Sequence, residues 1–142
     1  MLTPYLRPYH LTIFIHNSLL SPQGWLNGIA YEIPNNYLSI VDNAVLSNTN
    51  ISTLAHEMGH CFGLYHTFEN YFGSERRART GTCKNCETTG DFVCDTEADR
   101  DIGETNISED CIYTGTQTDN CDNTAFIMEP RNIMTYGRRA CR

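Results

Sequence analysis

The chain has 142 residues, which is enough for one domain with one sizeable hydrophobic core. Its formal net charge is −7, and this argues against nucleic acid as a partner because a polyanion would be repelled. No apolar run reaches the length of a membrane span, and the first residues lack the charged start and apolar stretch of a signal peptide. We therefore expect neither a nucleic acid nor a membrane as partner.

Three strands are predicted in the first third of the chain. Residues 11–15 (LTIFI) are apolar and partly β-branched, residues 29–33 form a second candidate, and residues 37–42 (YLSIVD) alternate. Turn signals at residues 21–24 and 34–36 separate these runs. The pattern therefore predicts three short strands joined by turns.

One helix and a long coil follow. The helix is predicted to start near Asn50 or Ser52, either of which can act as N-cap, and to end near Phe62. Residues 69–131 show no sustained helical or strand period, and residues 87–129 within them hold 12 acids and one base, a local charge of −11. A coil of this length is plausible only if disulfides or bound ions hold it.

The helix carries the string H-E-x-x-H-x-x-G-x-x-H, formed by His56, Glu57, His60, Gly63 and His66. His56 and His60 are one helical turn apart and share a face, so both can bind one metal ion. Glu57 lies about 100° round the helix, beside the metal, where it can deprotonate a bound water. Gly63 can take positive φ, end the helix and bring in His66 as third ligand. Three histidines with an open fourth position are typical of catalytic zinc.

This long motif followed by a Met-turn is the metzincin signature, and residues 132–136 (NIMTY) supply such a turn. Together with residues 56–68 (HEMGHCFGLYHTF) and 90–96 (GDFVCDT), the chain resembles the pappalysin (ulilysin-like) branch of the metzincins. The resemblance runs from residue 28 to residue 141. One departure is Glu97, where the family usually has proline.

The resemblance implies an α+β fold, a metzincin-like zincin domain with a small mixed sheet packed on the zinc-binding helix. A disulfide- and calcium-stabilised irregular C-terminal subdomain with the Met-turn would follow. We expect residues 1–142 to form a single, partial catalytic domain that is shortened at both ends. Residues 1–66 would be its upper subdomain with the zinc helix, and residues 67–142 its lower subdomain.

The resemblance also assigns roles around the zinc. Met134 would form an apolar floor under the three imidazoles, and Tyr136 would approach the metal, where its phenol can hydrogen-bond a developing oxyanion. The strand before the zinc helix would pair with an extended substrate as an added antiparallel strand. The expected substrate-binding residues are Tyr37, Leu38, Ser39, Ile40 and Val41.

The acidic coil has two interpretations. It can be a solvated surface, or Asp91, Asp95 and Thr96 can bind a structural calcium together with a nearby carbonyl such as that of Val93 or Cys94. Calcium takes six to eight oxygen ligands, which carboxylates and carbonyls at close spacing can supply. The resemblance implies calcium in this region.

Six of the seven cysteines follow the zinc helix in coil-like sequence, which predicts disulfides and a secreted or otherwise extracytoplasmic protein. By resemblance, Cys111 should pair with Cys141 and Cys86 with Cys121. Cys83 and Cys94 would then form a third pair, with Cys86 to Cys94 as an alternative. A second, thiolate zinc site at Cys83 and Cys86 is also open. The remaining Cys61 should be buried and unreactive.

The sequence thus predicts a monomeric zinc-dependent endopeptidase that acts on protein or peptide substrates, with Glu57 as general base and Tyr136 assisting. One alternative is a zinc hydrolase that acts on a non-protein amide. Another is a catalytically impaired fragment that serves as a calcium-stabilised binding domain. Residues 137–140 (GRRA) would form a basic wall after the Met-turn, so we expect a neutral or acidic substrate residue on the primed side.

Overall fold

The computed structural model describes residues 5–46, 52–100, 104–137 and 139–142. The chain folds as two compact units, which we call the first unit (residues 1–64) and the second unit (residues 65–142). Asn50, one of the expected N-caps, and Arg138, in the expected basic wall, lie outside the described residues. The division into an upper and a lower metzincin subdomain at residue 66 stays a prediction.

The first unit contains two small sheets. Its strands are β1 (Thr12–His16), β2 (Leu19–Ser21), β3 (Gly24–Leu26), β4 (Gly28–Ala30) and β5 (Tyr37–Val41). The larger sheet has the order β1-β5-β4, with β1 parallel and β4 antiparallel to β5, so it is mixed as expected. Strands β2 and β3 form an antiparallel hairpin.

The strand predictions were accurate for β1 and β5 and too long for β4. The predicted strand at residues 29–33 is reduced to Gly28–Ala30. The turn signal at residues 21–24 is real, but the hairpin around it was missed because strands of three residues are too short to show alternation. A short helix, α1 (Asp42–Leu46), follows β5 without a break and was also missed.

Strand β5 is the central strand of its sheet, and this corrects the expected substrate-binding strand. Both of its edges are hydrogen-bonded, one to β1 and one to β4, so it has no free edge for an added strand. The interpretation that Tyr37, Leu38, Ser39, Ile40 and Val41 pair with substrate is therefore wrong. Leu38–Val41 are buried instead, and the outer strands of this sheet are β1 and β4.

The zinc-motif helix, α2, spans Thr53–Cys61, with Ser52 at its N-cap and Phe62 at its C-cap as predicted. It packs on β4 and β5. The core of this unit consists of buried apolar residues from β5, α1 and α2: Leu38, Ile40, Val41, Ala44 and Cys61. Cys61 is buried and free, as expected. No helix in the described part of the chain is long and apolar enough to cross a membrane.

The second unit is mostly irregular, as the lack of periodicity predicts. Its described residues contain two 3-10 turns, Glu104–Asn106 and Arg139–Cys141, and two isolated bridges, Ile107 with Tyr113 and Thr118 with Ala125. Four of its buried apolar residues form a small core: Ala98, Ile107, Phe126 and Met128.

Three disulfides cross-link the second unit. Cys111 pairs with Cys141 as predicted. The other expected pairing is wrong, because Cys83 bonds Cys121 and Cys86 bonds Cys94. The bond from Cys86 to Cys94 is the alternative left open above, and it closes a short loop of sequence separation 8. Since Cys83 and Cys86 are both oxidised, they hold no thiolate zinc site.

Candidate metal centre

Three histidines come together in the structure. One ring nitrogen each of His56, His60 and His66 lies within 4.8 Å of the other two. His56 and His60 are buried, and their ring centroids lie 4.7 Å apart with nearly perpendicular planes. Zinc binds imidazole nitrogens at roughly 2.0 to 2.1 Å, so three nitrogens this close fit one ion. The donor set, all nitrogen and partly buried, is also typical of zinc.

Gly63 ends the helix in the manner that the motif predicts. Its φ is +97°, its N–H donates to His60 O at 3.0 Å, and the N–H of Leu64 donates to Gly59 O at 2.9 Å. These two bonds form a Schellman motif, which satisfies helical carbonyls that otherwise lack partners. The chain therefore reverses direction within three residues of the helix end, before His66.

The orientation of His60 is fixed by a main-chain contact. Its Nδ1 lies 2.7 Å from Leu64 O. A carbonyl oxygen only accepts hydrogen bonds, so Nδ1 must carry the proton and donate it. The lone pair of the neutral ring then resides on Nε2, the nitrogen that can coordinate a metal ion.

Two aromatic rings enclose His66. Phe68 stacks on the imidazole at 4.8 Å with an interplanar angle of 8°, and Tyr136 contacts it edge-on at 4.7 Å. Phe68 and Tyr136 also contact each other at 4.7 Å. Tyr136, half exposed, thus lies beside the third histidine, and its approach to the metal stays a prediction. The sequence interpretation did not foresee the role of Phe68.

Met134 lies in a tight turn. Thr135 N–H donates to Asn132 O at 3.2 Å, and Met134 N–H donates to Asn132 Oδ1 at 2.8 Å. Thr67 N–H donates to Met134 O at 3.2 Å, so the turn is joined to the residue that follows His66. Met134 is buried. The position of its side chain beneath all three imidazoles stays a prediction.

Asp99 makes a second link between these segments. Its Oδ2 accepts hydrogen bonds from Thr67 Oγ1 at 2.8 Å and from Thr135 Oγ1 at 2.6 Å, and all three side chains are buried. Asp99 therefore connects the segment after the third histidine to the Met134 turn. Sequence reasoning missed it, because one aspartate among the many acids of this coil carries no distinguishing signal.

Glu57 lies against strand β4. The side chain is 7 % exposed, and Oε2 accepts a hydrogen bond from Ala30 N–H at 2.8 Å. Burial raises the pKa of Glu57 from 4.5 to about 7, while the Ala30 hydrogen bond acts in the opposite direction. A carboxylate with a pKa near neutrality can both take up and release a proton. The contacts of Glu57 with Ala30 and with Gly28, two residues earlier on β4, were not predicted from the sequence.

The expected calcium residues are only partly brought together. Thr96 Oγ1 lies 3.2 Å from Asp91 Oδ2 and donates to Val93 O at 2.9 Å, and Val93 N–H donates to Asp91 Oδ1 at 2.9 Å. Asp91, Thr96 and the Val93 carbonyl thus form one group of oxygen atoms. Asp95 is exposed, and no described contact joins it to that group.

Glu75, which the sequence interpretation did not include, is buried near this group. Its Oε1 accepts a hydrogen bond from Arg79 at 2.7 Å, whereas its buried Oε2 has no hydrogen-bond partner among the described residues. Burial raises the pKa of Glu75 to about 7, Arg79 lowers it, and the charges of Asp91 and Glu97 add to the rise. A buried oxygen without a partner beside Asp91 suits an oxygen-binding cation such as calcium.

Comparisons with known proteins agree with the geometry. The model of the peptidase family described as pregnancy-associated plasma protein-A matches residues 20–141. An extracellular metalloprotease of Sordaria macrospora and one of Neurospora crassa are each 32 % identical over 97 residues, which is 68 % of this chain. The chain spans about a quarter of the length of these relatives, 26 %. The resemblance to the pappalysins is confirmed: the chain belongs to the pregnancy-associated plasma protein-A family of peptidases.

Proposed function

We propose that this chain carries the active site of a zinc-dependent endopeptidase. The group formed by His56, His60 and His66 is the observation that carries the proposal, with Glu57 next to the first ligand in sequence. Membership of a peptidase family and the names of the two relatives, both extracellular metalloproteases, support the same reaction class.

Zinc on the three histidines would lower the pKa of a water molecule to roughly 7 and polarise the scissile carbonyl. Glu57 is the proposed general base, taking the proton from the attacking water and passing it to the leaving amine. Its burial and raised pKa suit both transfers. Tyr136, in contact with the ring of His66, is the proposed donor to the oxyanion.

The proposed substrate is a protein or peptide that lies extended along β4, an outer strand of its sheet. Asn27 O accepts a hydrogen bond from Val41 N–H, so by strand alternation the main-chain groups of Gly28 and Ala30 point away from β5. An added strand would use the Gly28 N–H and C=O and the Ala30 C=O, since the Ala30 N–H already donates to Glu57 Oε2. The preference for a neutral or acidic primed-side residue, based on residues 137–140, stays a prediction.

We also propose a structural calcium ion held by Asp91, Thr96, the Val93 carbonyl and Glu75. Support comes from the closeness of the first three and from the buried, unpaired oxygen of Glu75. Asp95 is left out of this set because it is exposed. The ion would offset part of the charge of the acidic coil.

An extracellular location is proposed on two grounds. Three disulfides cross-link the second unit, and disulfides persist mainly in oxidising compartments. Both curated relatives are named extracellular. The monomeric state stays a prediction.

Glu57→Gln tests the proposed function, with Glu32→Gln, an exposed acid of the same unit, as control. Zinc content and cleavage of casein or gelatin are measured for each protein. We expect every form to bind one zinc ion and only Glu57→Gln to lose activity, by about a hundred- to ten-thousandfold.

Three other outcomes would contradict the proposal. Near-full activity of Glu57→Gln would rule it out as general base. A zinc-loaded wild type that cleaves small amides but no protein would favour the non-protein amide hydrolase. A zinc-loaded protein inactive on both would favour a binding domain.

A further inference from the structure

Gly28 on β4 leaves room for the side chain of Glu57. A Cβ atom built at position 28 would lie 2.7 Å from Glu57 Cγ, 3.1 Å from Oε1 and 3.2 Å from Cδ. Non-bonded carbon atoms approach favourably only to about 3.5 to 4.0 Å. Any other residue at position 28 would therefore have to displace the middle of the Glu57 side chain, and not merely its flexible end.

The backbone at Gly28 does not explain the glycine. Five glycines of the described chain have positive φ, which favours glycine over other residues: Gly24, Gly63, Gly73, Gly81 and Gly90. Gly28 is not among them, and it lies in a regular strand paired with Ile40. Space for Glu57 is thus the physical reason for a glycine at this position.

Ala30, two residues further along the same strand, makes the second contact with Glu57. Its N–H points away from β5 and donates to Oε2 at 2.8 Å. The strand is therefore matched to Glu57 in two ways: Gly28 leaves space for Cγ and Oε1, and the Ala30 N–H donates a hydrogen bond to Oε2. With the side chain only 7 % exposed, few other orientations are open to it.

We propose that Gly28 is a positioning residue for Glu57. Its missing side chain allows Glu57 to lie flat against β4, and the Ala30 N–H then fixes the direction of the carboxylate. This inference rests on the proposed role of Glu57 as general base. It adds that β4, and not the zinc-motif helix alone, determines the position of the Glu57 carboxylate.

The test replaces Gly28 by Ala and by Val and compares both with Leu19→Ala. Leu19 lies on β2, outside the proposed substrate strand, and packs against the core of the same unit. On a fluorogenic peptide, we expect Gly28→Ala to lower kcat about a hundredfold, Gly28→Val more, and KM to change less. Zinc affinity should be unchanged in all three. Leu19→Ala should lower the unfolding midpoint yet keep kcat.

A double variant separates positioning from general destabilisation. If Gly28 acts through Glu57, adding Gly28→Ala to Glu57→Gln should cost no further activity, because the group being positioned is already gone. Additive losses in the double variant would overturn the proposal. So would a Gly28→Ala enzyme with near wild-type kcat.

A readout that needs no activity completes the test. The amide proton of Ala30, bonded to a carboxylate, is followed by proton–nitrogen NMR and hydrogen exchange. We expect its signal to shift and its exchange to accelerate in Gly28→Ala but not in Leu19→Ala. An unchanged Ala30 amide in Gly28→Ala would overturn the inference. If zinc-loaded wild type cleaves nothing, the proposed function fails, and the amide signal still decides whether Gly28 places Glu57.

Discussion

The two units of the chain place their functional side chains by different physical means. The first unit uses a sheet, two helices and an apolar core, and its Glu57 is held by a strand. In the second unit, the described residues include neither an α-helix nor a β-strand, but only 3-10 turns and isolated bridges. Three disulfides and several buried carboxylates take the place of regular structure there.

Asp119 shows how a buried carboxylate can organise coil. It is fully buried and accepts hydrogen bonds from the N–H groups of Arg77, at 2.6 Å, and Cys121, at 2.8 Å, and from the Arg76 guanidinium at 3.1 Å. Burial alone would raise the pKa of Asp119, but these hydrogen-bond donors lower it. Asp99 likewise accepts hydrogen bonds from the side chains of Thr67 and Thr135. Such acids replace the main-chain ladders of the first unit, and each must keep its donors to remain stable when buried.

Removal of the disulfide with the greatest sequence separation should affect only the second unit. Cys83 and Cys121 are separated by 38 residues and Cys86 and Cys94 by 8, so loop-closure entropy predicts losses of about 4 and about 2.5 kcal/mol when each pair is replaced by serine. Urea unfolding measures both losses, and the shorter loop serves as the matched control.

Hydrogen exchange shows where the loss falls. Amides of β5 should keep their protection in the Cys83→Ser/Cys121→Ser variant, while amides of residues 74–100 and 104–126 lose theirs. Equal losses of protection in both units would mean that the chain unfolds as one cooperative body, and the contrast between the units would then have no energetic meaning.

Leu38→Ala should instead destabilise the first unit and leave the second unit unaffected. Leu38 is fully buried in the core of the first unit, and truncation of such a side chain costs about 2 to 5 kcal/mol. Ile112→Ala, at an exposed apolar position of the second unit, should cost less than about 0.5 kcal/mol. A comparable loss for both variants would mean that the buried side chain of Leu38 contributes no more to stability than an exposed apolar side chain.

Sequence reasoning succeeded where one local pattern determines the structure. The spacing of His56, His60, Gly63 and His66 follows from helix geometry and a glycine turn, and these residues come together as that spacing predicts. Strands β1 and β5 were found because five-residue apolar runs show a period.

Sequence reasoning failed where the interacting residues are distant in sequence, or where a strand is too short to show a period. The order β1-β5-β4 depends on pairing that no local pattern encodes, so β5 was mistaken for a free edge. Cysteine spacing allows several pairings, and only the folded coil selects Cys83 with Cys121. Asp99 and Glu75 resemble every other acid of the chain until burial distinguishes them.

The stability of the second unit should depend on pH through Glu75. Its pKa is raised from 4.5 to about 7 by burial, so below pH 4.5 both the folded and the unfolded chain hold the proton. As pH rises to 7 the unfolded chain releases it first, and the folded state is penalised by on the order of 3 kcal/mol. Glu75→Gln should remove this loss, giving a variant more stable than wild type at pH 8 but not at pH 4.

Urea midpoints in EDTA at pH 4, 5.5 and 8 measure this difference, with the exposed Glu87→Gln as control. Added calcium at pH 8 should then stabilise the wild type and not Glu75→Gln, because the ion would bind the ionised carboxylate. A calcium response that survives in Glu75→Gln would remove Glu75 from the proposed ligand set.

Gly63→Ala should cause a smaller loss of folding stability and should also weaken zinc binding. Gly63 has φ +97° and its nearest neighbour to an added Cβ is 4.0 Å away, so the cost is backbone strain of about 1 kcal/mol and not a clash. Gly81, with φ +76° and open space around it, is the matched position in the second unit and should cost about the same. Only Gly63→Ala should weaken zinc binding, measured by competition with a chelating dye, because its turn leads the chain from His60 to His66. Equal zinc affinity in the two variants would mean that the contacts around His66 hold the third histidine without help from the helix end.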